Sequence, residues 1–504
     1  MEESNQAQEM DCKEENTSSA PYADADPPED VKEKATEFKN TGNKFLQECH
    51  FAQAIEQYTL AIELWENAIF FSNRAQAHIK SEAYGLAISD ADRAIELEPD
   101  YIKGYYRRGS AYFALTKYKK ALKDFRAVVN LKPKDRDARE KFKACQKAAK
   151  EAAFAAAIES EETTPLSQSL SPESIVVEDS YDGPRLEESG VVTVEFVEEM
   201  LERFKNQKLI HKKYVIQMLL QILEHLRTLP SLVHIQVTEE EKPLTVCGDT
   251  HGQYFDVLNI FELNGKPSED RPYLFNGDFV DRGSFSFEVI LTLIGYKLLY
   301  PDSVHLTRGN HETVNMNKVY GFEGEVKAKY DMQLMQLFTE VFNMMPLSYV
   351  INNKVMVVHG GLPAEDGVKL DDISAINRNR QPPESGLMSD LLWADPQPLP
   401  GRMPSKRGVG KSFGPDVTAR FLEDNGLELL VRSHEVKDDG YEVAHNGKCV
   451  TIFSAPNYCD QMGNKGAFIL FGPDMVPKYT QFEAVPHPNI RPMAYASGMG
   501  MFGL

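Results

Sequence analysis

Six polar clusters in this chain share one placement: each sits directly after a short apolar run. They are Gly248-Asp249-Thr250-His251-Gly252, Gly277-Asp278-Phe279-Val280-Asp281-Arg282-Gly283, Arg308-Gly309-Asn310-His311-Glu312, His359-Gly360-Gly361, Arg432-Ser433-His434-Glu435 and Ser454-Ala455-Pro456-Asn457-Tyr458-Cys459. Carboxylate, amide and imidazole ligands without cysteine suit Mn, Fe or Zn at a hydrolytic centre rather than a structural zinc. Two ions about 3.5–4 Å apart need a bridging carboxylate, and Asp278 is the natural bridge. One Asp-x-His alone reads as a turn or a helix cap. Six clusters in order, each after an apolar run, read as a metal centre. No cysteine begins a Cys-x5-Arg pattern, so a thiolate phosphatase mechanism has no nucleophile here.

The apolar runs are Leu244–Cys247, Tyr273–Phe275, Val304–Leu306, Val355–Val358, Leu429–Val431 and Val450–Phe453. Their length and β-branched content predict buried strands. Strands of one sheet end on a common edge, which would bring the six clusters together. The flanking glycines are expected to supply the sharp turns. Helical spacing is predicted for Phe285–Leu299 and Met332–Phe342, and for two helices within Val194–Leu229. The domain is expected to be mixed α and β, with sheets at its centre and helices outside.

Gly-Asp-x-His-Gly, Gly-Asp-x-Val-Asp-Arg-Gly and Gly-Asn-His-Glu, with the two later histidines and Ser-Ala-Pro-Asn-Tyr-Cys, resemble the metallo-dependent phosphoprotein phosphatase family. The resemblance spans about 244–485. It implies a β-sandwich core flanked by helices. It implies one divalent ion on Asp249, His251 and Asp278, and a second on Asp278, Asn310, His359 and His434. The ions are drawn from Mn, Fe, Zn or Mg. It also implies hydrolysis of phosphoserine and phosphothreonine by a metal-activated water.

His311 is the candidate general acid for the leaving alkoxide, oriented by Asp281. Arg282 abuts the metal motif and offers a planar fork to phosphate oxygens. Arg407, in Ser405-Lys406-Arg407-Gly408, reads from residue type alone as a solvated loop charge. The resemblance makes it a second phosphate ligand. Tyr458 reads as packing by type and as a phosphate or water partner by resemblance. Asn310 joins the phosphate-binding set. Gly408-Val409-Gly410-Lys411-Ser412 looks like half a phosphate-binding P-loop, but Ser405 stands where that pattern needs glycine.

Upstream, Ala54, Ala87 and Ala121 are separated by 33 and 34 residues. Each sits in an Ala-Ile or Ala-Leu step. Gly42, Ala75 and Gly109 precede them by a fixed offset, and Tyr58, Ala91 and Phe125 follow by another. Period and position-specific residues resemble three tetratricopeptide repeats. First helices line the groove of such arrays. Lys39, Asn43, Asn73, Lys103 and Arg107 fall on them, with Lys80 as an assistant. This set resembles the carboxylate clamp that binds the Met-Glu-Glu-Val-Asp tail of the chaperone heat-shock protein 90. The resemblance further implies autoinhibition by the repeats, relieved by chaperone tails or fatty acids. Glu82 is a candidate plug and Ala494–Leu504 a candidate latch.

The expected layout is a disordered acidic tail over 1–30, three repeats with a capping helix over 31–158, a polar linker over 159–190, the catalytic domain over 191–490 and a C-terminal tail over 491–504. A net charge of −21 disfavours nucleic acid and anionic membranes as partners. No apolar run reaches the roughly 20 residues a bilayer needs, and 1–30 lacks an apolar signal segment, so residence in the cytosol and nucleus is expected. Two rival readings share some of these features. Another two-metal phosphoesterase would share the early motifs but not Ser454–Cys459. A silent adaptor would not retain every ligand together with His311 and Asp281.

Overall fold

The computed structural model describes residues 27–159, 164–187, 189–239 and 242–496. Two compact units emerge: Met1–Glu82 with Ala87–Arg108, and Ala83–Leu86 with Gly109–Leu504. The acidic tail over 1–26 and the latch residues 497–504 lie outside the described residues.

Seven helices precede the catalytic part: α1 (Glu29–Gln47), α2 (Phe51–Leu64), α3 (Ala68–Lys80), α4 (Tyr84–Leu97), α5 (Ile102–Ala114), α6 (Tyr118–Leu131) and α7 (Arg136–Glu159). Helix α1 starts at Glu29, inside the stretch read as tail. Glu29 and Asp30 occupy its first turn, where carboxylates suit the helix dipole. Small residues set the spacing between helices. Ala54, Ala61, Ala75 and Ala94 are fully buried. A Cβ on Gly42 would stand 2.7 Å from the Tyr58 ring, so only glycine lets α1 and α2 approach this closely. In the other unit, Ala121, Phe125 and Cys145 form a small core shared by α6 and α7.

The expected linker is not a free tether. Two short 3-10 turns, Leu166–Gln168 and Pro172–Ser174, follow the repeats. Leu170, Ile175, Val177, Tyr181 and Leu186 pack on the main core of the catalytic part. Arg203 holds Asp182 at 2.7 Å and His211 stands 3.2 Å from Glu178. Burying five apolar side chains outweighs the polar composition that suggested a linker. Apolar residues between 170 and 186 therefore pack as part of the catalytic core.

Helices α8 (Val194–Lys205) and α9 (Lys212–Arg227) open the next layer. Thr193 caps α8 by accepting the Phe196 N–H at 3.3 Å. The strands among the described residues are β1 (Leu232–Ile235), β2 (Leu244–Cys247), β3 (Tyr273–Phe275), β4 (Val304–Leu306), β5 (Ser348–Ile351), β6 (Val355–Val358), β7 (Arg402–Pro404), β8 (Lys411–Phe413), β9 (Leu429–Arg432), β10 (Tyr441–Ala444), β11 (Cys449–Ile452), β12 (Gly466–Phe471) and β13 (Pro477–Phe482). They form a six-stranded sheet, β1-β5-β6-β9-β11-β10, a five-stranded sheet, β13-β12-β2-β3-β4, and the hairpin β7-β8.

The single-sheet expectation fails here. Strands β2, β3 and β4 lie in the five-stranded sheet, whereas β6, β9 and β11 lie in the six-stranded one. The two sheets face each other across a shared core that includes Val246, Leu274 and Ile469 from one and Val357, Val431 and Val450 from the other. This is a sandwich flanked by helices, as the family resemblance implies. A bridge between Asp249 and Phe453 joins the two sheets at the end where the clusters emerge.

Candidate metal centre and phosphate site

Each cluster leaves its strand through a constrained turn. His251, Asp278, Asp281, Arg282 and His434 all have left-handed backbone, with φ of 40°, 52°, 71°, 70° and 70°. Non-glycine residues pay about 1 kcal/mol or more for such φ, and the cost is tolerated where packing overdetermines the loop. Gly252 and Gly277, with φ of 65° and 84°, make turns as expected, and the functional residues share that task. Other glycines serve a further need. A Cβ on Gly309 would lie 2.2 Å from Asp278 Oδ1, and one on Gly248 2.2 Å from the Ile452 carbonyl. They let the loops close on the ligands.

Two sets of ligand atoms lie within 4.8 Å of one another: His251, Asp278 and His311, and Asp278, His359 and His434. Asp278 belongs to both. Its Oδ2 is 3.5 Å from His251 Nε2 and 3.3 Å from His359 Nε2. Asp249 adjoins both sets, 3.8 Å from His251 Nε2 and 3.7 Å from His359 Nδ1. The Asn310 amide stands 2.9 Å from His359 Nε2, 3.0 Å from His434 Nδ1 and 3.1 Å from Asp278 Oδ2. All these side chains are buried. Second partners fix the ring tautomers: His251 Nδ1 is 3.0 Å from the Val280 carbonyl, and His359 Nδ1 is 2.8 Å from the Asn276 carbonyl. In both rings Nε2 is left as the lone-pair donor towards the centre.

Burial pushes Asp249 up to about 8 and Asp278 well above the carboxylate range. Carboxylates packed beside imidazole lone pairs are costly unless a cation joins them. The donor set thus fits divalent cations.

His311 is found in the first ligand set by distance, yet its ring is committed elsewhere. Its Nδ1 is 2.8 Å from Asp281 Oδ2. Asp281 also accepts from Asn317 Nδ2 at 3.1 Å and from the Phe322 N–H at 2.9 Å. Burial, then Arg282, His359 and Arg407, push His311 well below its usual value. The Arg282 and Arg407 guanidiniums oppose its charge, so an arriving phosphate dianion that offsets them would favour its protonation.

Arg282 is 5% exposed, with its guanidinium 3.7 Å from the centre of the Tyr320 ring. Arg407 is no solvated charge. Its Nε holds Asp395 at 2.7 Å, and Nη2 donates to the His434 carbonyl. Asp395 in turn holds Arg432 at 2.7 Å. Both guanidiniums lower the Asp278 carboxylate, so both lie within electrostatic reach of the centre. The Tyr458 ring packs 5.2 Å from that of His251. The Gly408–Ser412 stretch leads into β8, a strand, and a P-loop leads into a helix, so the rejected phosphate loop stays rejected. Strand β7 precedes it.

Sequence reading missed several supports. Glu312 accepts the N–H groups of Asp278, Phe279 and Gly309 at 2.8–2.9 Å, which staples two ligand loops together. Ser454 accepts the Gly248 N–H at 2.8 Å. Glu312 and Ser454 lie inside recognisable motifs, so position was the available signal. Asn317, Tyr320 and Asp395 carried none.

In the repeat unit, Asn73 Nδ2 donates to Asn43 Oδ1 at 3.1 Å, and Tyr58 Oη donates to the same oxygen at 2.8 Å. Arg107 acts electrostatically on both Tyr58 and Lys80. Its Nε is buried without a hydrogen-bond partner among the described residues, and burial pulls it down to about 10. Lys103 is exposed and Lys39 half-buried. Asn43, Asn73 and Arg107 thus form one polar patch linked through Tyr58.

Residues 242–438 match the family described as calcineurin-like phosphoesterase, 142–234 the PPP5 TPR repeat region and 102–135 the tetratricopeptide repeat. The chain is 56% identical over 487 residues to human serine/threonine-protein phosphatase 5, covering 96% of this chain and 97% of that one. It is 55% identical over 472 residues to serine/threonine-protein phosphatase T of Trypanosoma brucei brucei, covering 93% and 99%. A solved serine/threonine phosphatase of Saccharomyces cerevisiae, described as similar to human PP5, aligns with a TM-score of 0.59 at 45% identity, covering 60% of this chain and all of that one. With its repeats, its sandwich and its buried oxygen and nitrogen ligands, this chain belongs to the serine/threonine-protein phosphatase 5 family and is a protein serine/threonine phosphatase.

Proposed function

We propose that phosphate leaves phosphoserine and phosphothreonine by direct attack of water at a centre of two divalent ions, drawn from Mn, Fe, Zn or Mg. The observation that carries this is Asp278, the member common to both ligand sets. Asp249, His251 and Asp278 would hold one ion, and Asp278, Asn310, His359 and His434 the other. When bound, the ions supply Lewis acidity at the phosphoryl group and an attacking water of lowered pKa. The chain supplies the rest. Arg282 and Arg407 hold the non-bridging oxygens with planar forks whose far sides are fixed, by Tyr320 and by Asp395. Asp281 holds His311 Nδ1, which aims Nε2 to protonate the departing serine oxygen. Elemental analysis of purified protein together with turnover of a phosphoserine peptide tests this reading. Full turnover with fewer than two ions per chain would overturn it.

The repeats are read as a receptor for the acidic C-terminal tail of heat-shock protein 90. Support comes from the linked patch of Asn43, Asn73 and Arg107, where the Arg107 Nε is buried with no hydrogen-bond partner among the described residues. Lys103→Ala should weaken binding of a Met-Glu-Glu-Val-Asp peptide about tenfold, the equivalent of ~1.4 kcal/mol. Titration calorimetry with the free acid and the C-terminal amide measures it. Equal affinity for acid and amide would remove the clamp.

Autoinhibition is the third element. The supporting contacts converge on the loop that carries Arg407. The N–H groups of Gly85 and Leu86 donate to the Lys406 carbonyl at 2.8 and 3.2 Å. Lys117 Nζ donates to the Gly408 carbonyl at 3.1 Å, and the Tyr84 and Tyr320 hydroxyls are 2.8 Å apart. A Cβ on Gly85 would meet Gly408 N at 2.6 Å. Gly85→Val should therefore expel this segment and raise hydrolysis of a small phosphoester several-fold, with Lys117→Ala doing so more weakly. Unchanged turnover in both variants would sink the idea. Glu82, the candidate plug, has left-handed backbone at the turn just before this segment. A fatty-acid activator and residence in the cytosol and nucleus belong to the same proposal. No helix among the described residues is long and apolar enough to cross a membrane.

A further inference from the structure

A cleft runs away from the phosphate site and has no part in the chemistry above. Three loops of the site continue into it. Gly252 follows the ligand His251, Gly283 follows Arg282, and Cys459 follows Tyr458. It encloses about 380 Å³ of empty space, open mouth included. Its lining includes the rings of Phe255 and Phe285, which meet edge to face at 5.3 Å. Asp256, Asp460 and His487 line it too, and a further cleft shares those three with it.

The charges there are unbalanced. Asp256 is 4% exposed and takes only neutral donors, the Val485 N–H at 3.0 Å and Gln253 Nε2 at 2.8 Å. Its charged neighbours are His487 and Asp460. Asp460 Oδ1 is 3.1 Å from His487 Nε2, and the other ring nitrogen of His487 is 2.9 Å from the Pro488 carbonyl. Both ring nitrogens face acceptors, and the Pro488 carbonyl and the Asp460 carboxylate hold this imidazole above its usual value. Two carboxylates, Asp256 and Asp460, thus share one imidazole in a cleft that Phe255 and Phe285 also line.

We propose that this cleft receives the long cationic side chain, arginine or lysine, of a substrate residue flanking the phosphoserine. The aliphatic stem lies against Phe255 and Phe285, and the charged tip reaches Asp460, in place of His487 or beside it. Electrostatic complementarity of this kind selects among phosphoproteins without touching the reacting atoms. The proposal rests on the phosphatase reading of the neighbouring centre.

The test uses the full chain and phosphoserine peptides that carry arginine, norleucine or glutamate at each of three positions on either side. Arginine is expected to exceed norleucine in kcat/KM about fivefold or more at one position at least. Glutamate should be the poorest there. Asp460→Asn should keep turnover of the norleucine peptide and abolish the arginine preference. His487→Ala, which removes the competing imidazole, should enlarge it. Arginine and norleucine within twofold of each other at every position, or a preference that survives Asp460→Asn, would overturn the proposal. Failure to hydrolyse any peptide, norleucine included, would overturn the phosphatase reading and this one with it.

Discussion

Asp278→Asn is expected to lower kcat/KM by ~10³-fold or more, equivalent to about 4 kcal/mol of transition-state stabilisation. The reason is geometric. The Oδ2 atom of Asp278 lies 3.5 Å from His251 Nε2 and 3.3 Å from His359 Nε2, and no other side chain among the described residues belongs to both ligand sets. An amide keeps the shape, and its oxygen can still accept the His311 N–H that Oδ1 now accepts at 2.9 Å. It cannot supply the negative charge two cations share. Elemental analysis should show fewer than two ions per chain. Thermal melting in chelator separates this from misfolding. Without ions, Asp278 is a buried carboxylate beside Asp249, so the variant should melt no lower than chelated wild type. Wild-type activity with two bound ions would refute the bridging role.

His311→Ala should lower kcat for a phosphoserine peptide by about 10²–10⁴-fold with metal content unchanged. Asp281→Asn should follow it in the same direction, because Asp281 fixes the ring through the 2.8 Å contact and is itself held by Asn317 and the Phe322 N–H. A proton donor and a merely structural residue are told apart by the leaving group. A serine alkoxide needs a proton, and a nitrophenolate does not. The loss should therefore be large for the peptide and small for an aryl phosphate. Equal losses on both substrates would assign His311 to the ligands, where distance alone would place it.

The strands that lead into the clusters were legible because a polar, glycine-bearing cluster follows closely on each apolar run, and β2, β3, β4 and β6 fall where those runs predict. Strand β13 was hidden because its burial is broken by exposed lysine and glutamine. Assignment of strands to sheets was not legible at all. The pairing of β2 with β12 joins residues more than two hundred positions apart, and no local pattern encodes it. The linker misled because Glu, Ser and Pro dominate its composition, while Leu170, Ile175 and Tyr181 follow neither helical nor strand spacing. Its apolar residues have meaning only against the surface they cover. Arg407 misled by the same route, since Asp395 and His434 lie 12 and 27 residues away. The stretch Arg491–Ala496 was read as tail, yet Arg491 O accepts from Ser284 Oγ at 2.7 Å and the Met493 N–H donates to the Arg282 carbonyl at 2.7 Å.

The division of the ligands between two sheets reaches beyond catalysis. Asp249, His251, Asp278 and Asn310 hang from one sheet, and His359 and His434 from the other. Any ions held there fasten the two halves of the sandwich at the seam marked by Asp249 and Phe453. The centre is then a clasp as well as a reactor. Because the unfolded chain cannot present this set, ion affinity is also resistance to unfolding. A cell short of the right metal would hold a phosphatase that is not merely idle but easier to unfold and degrade.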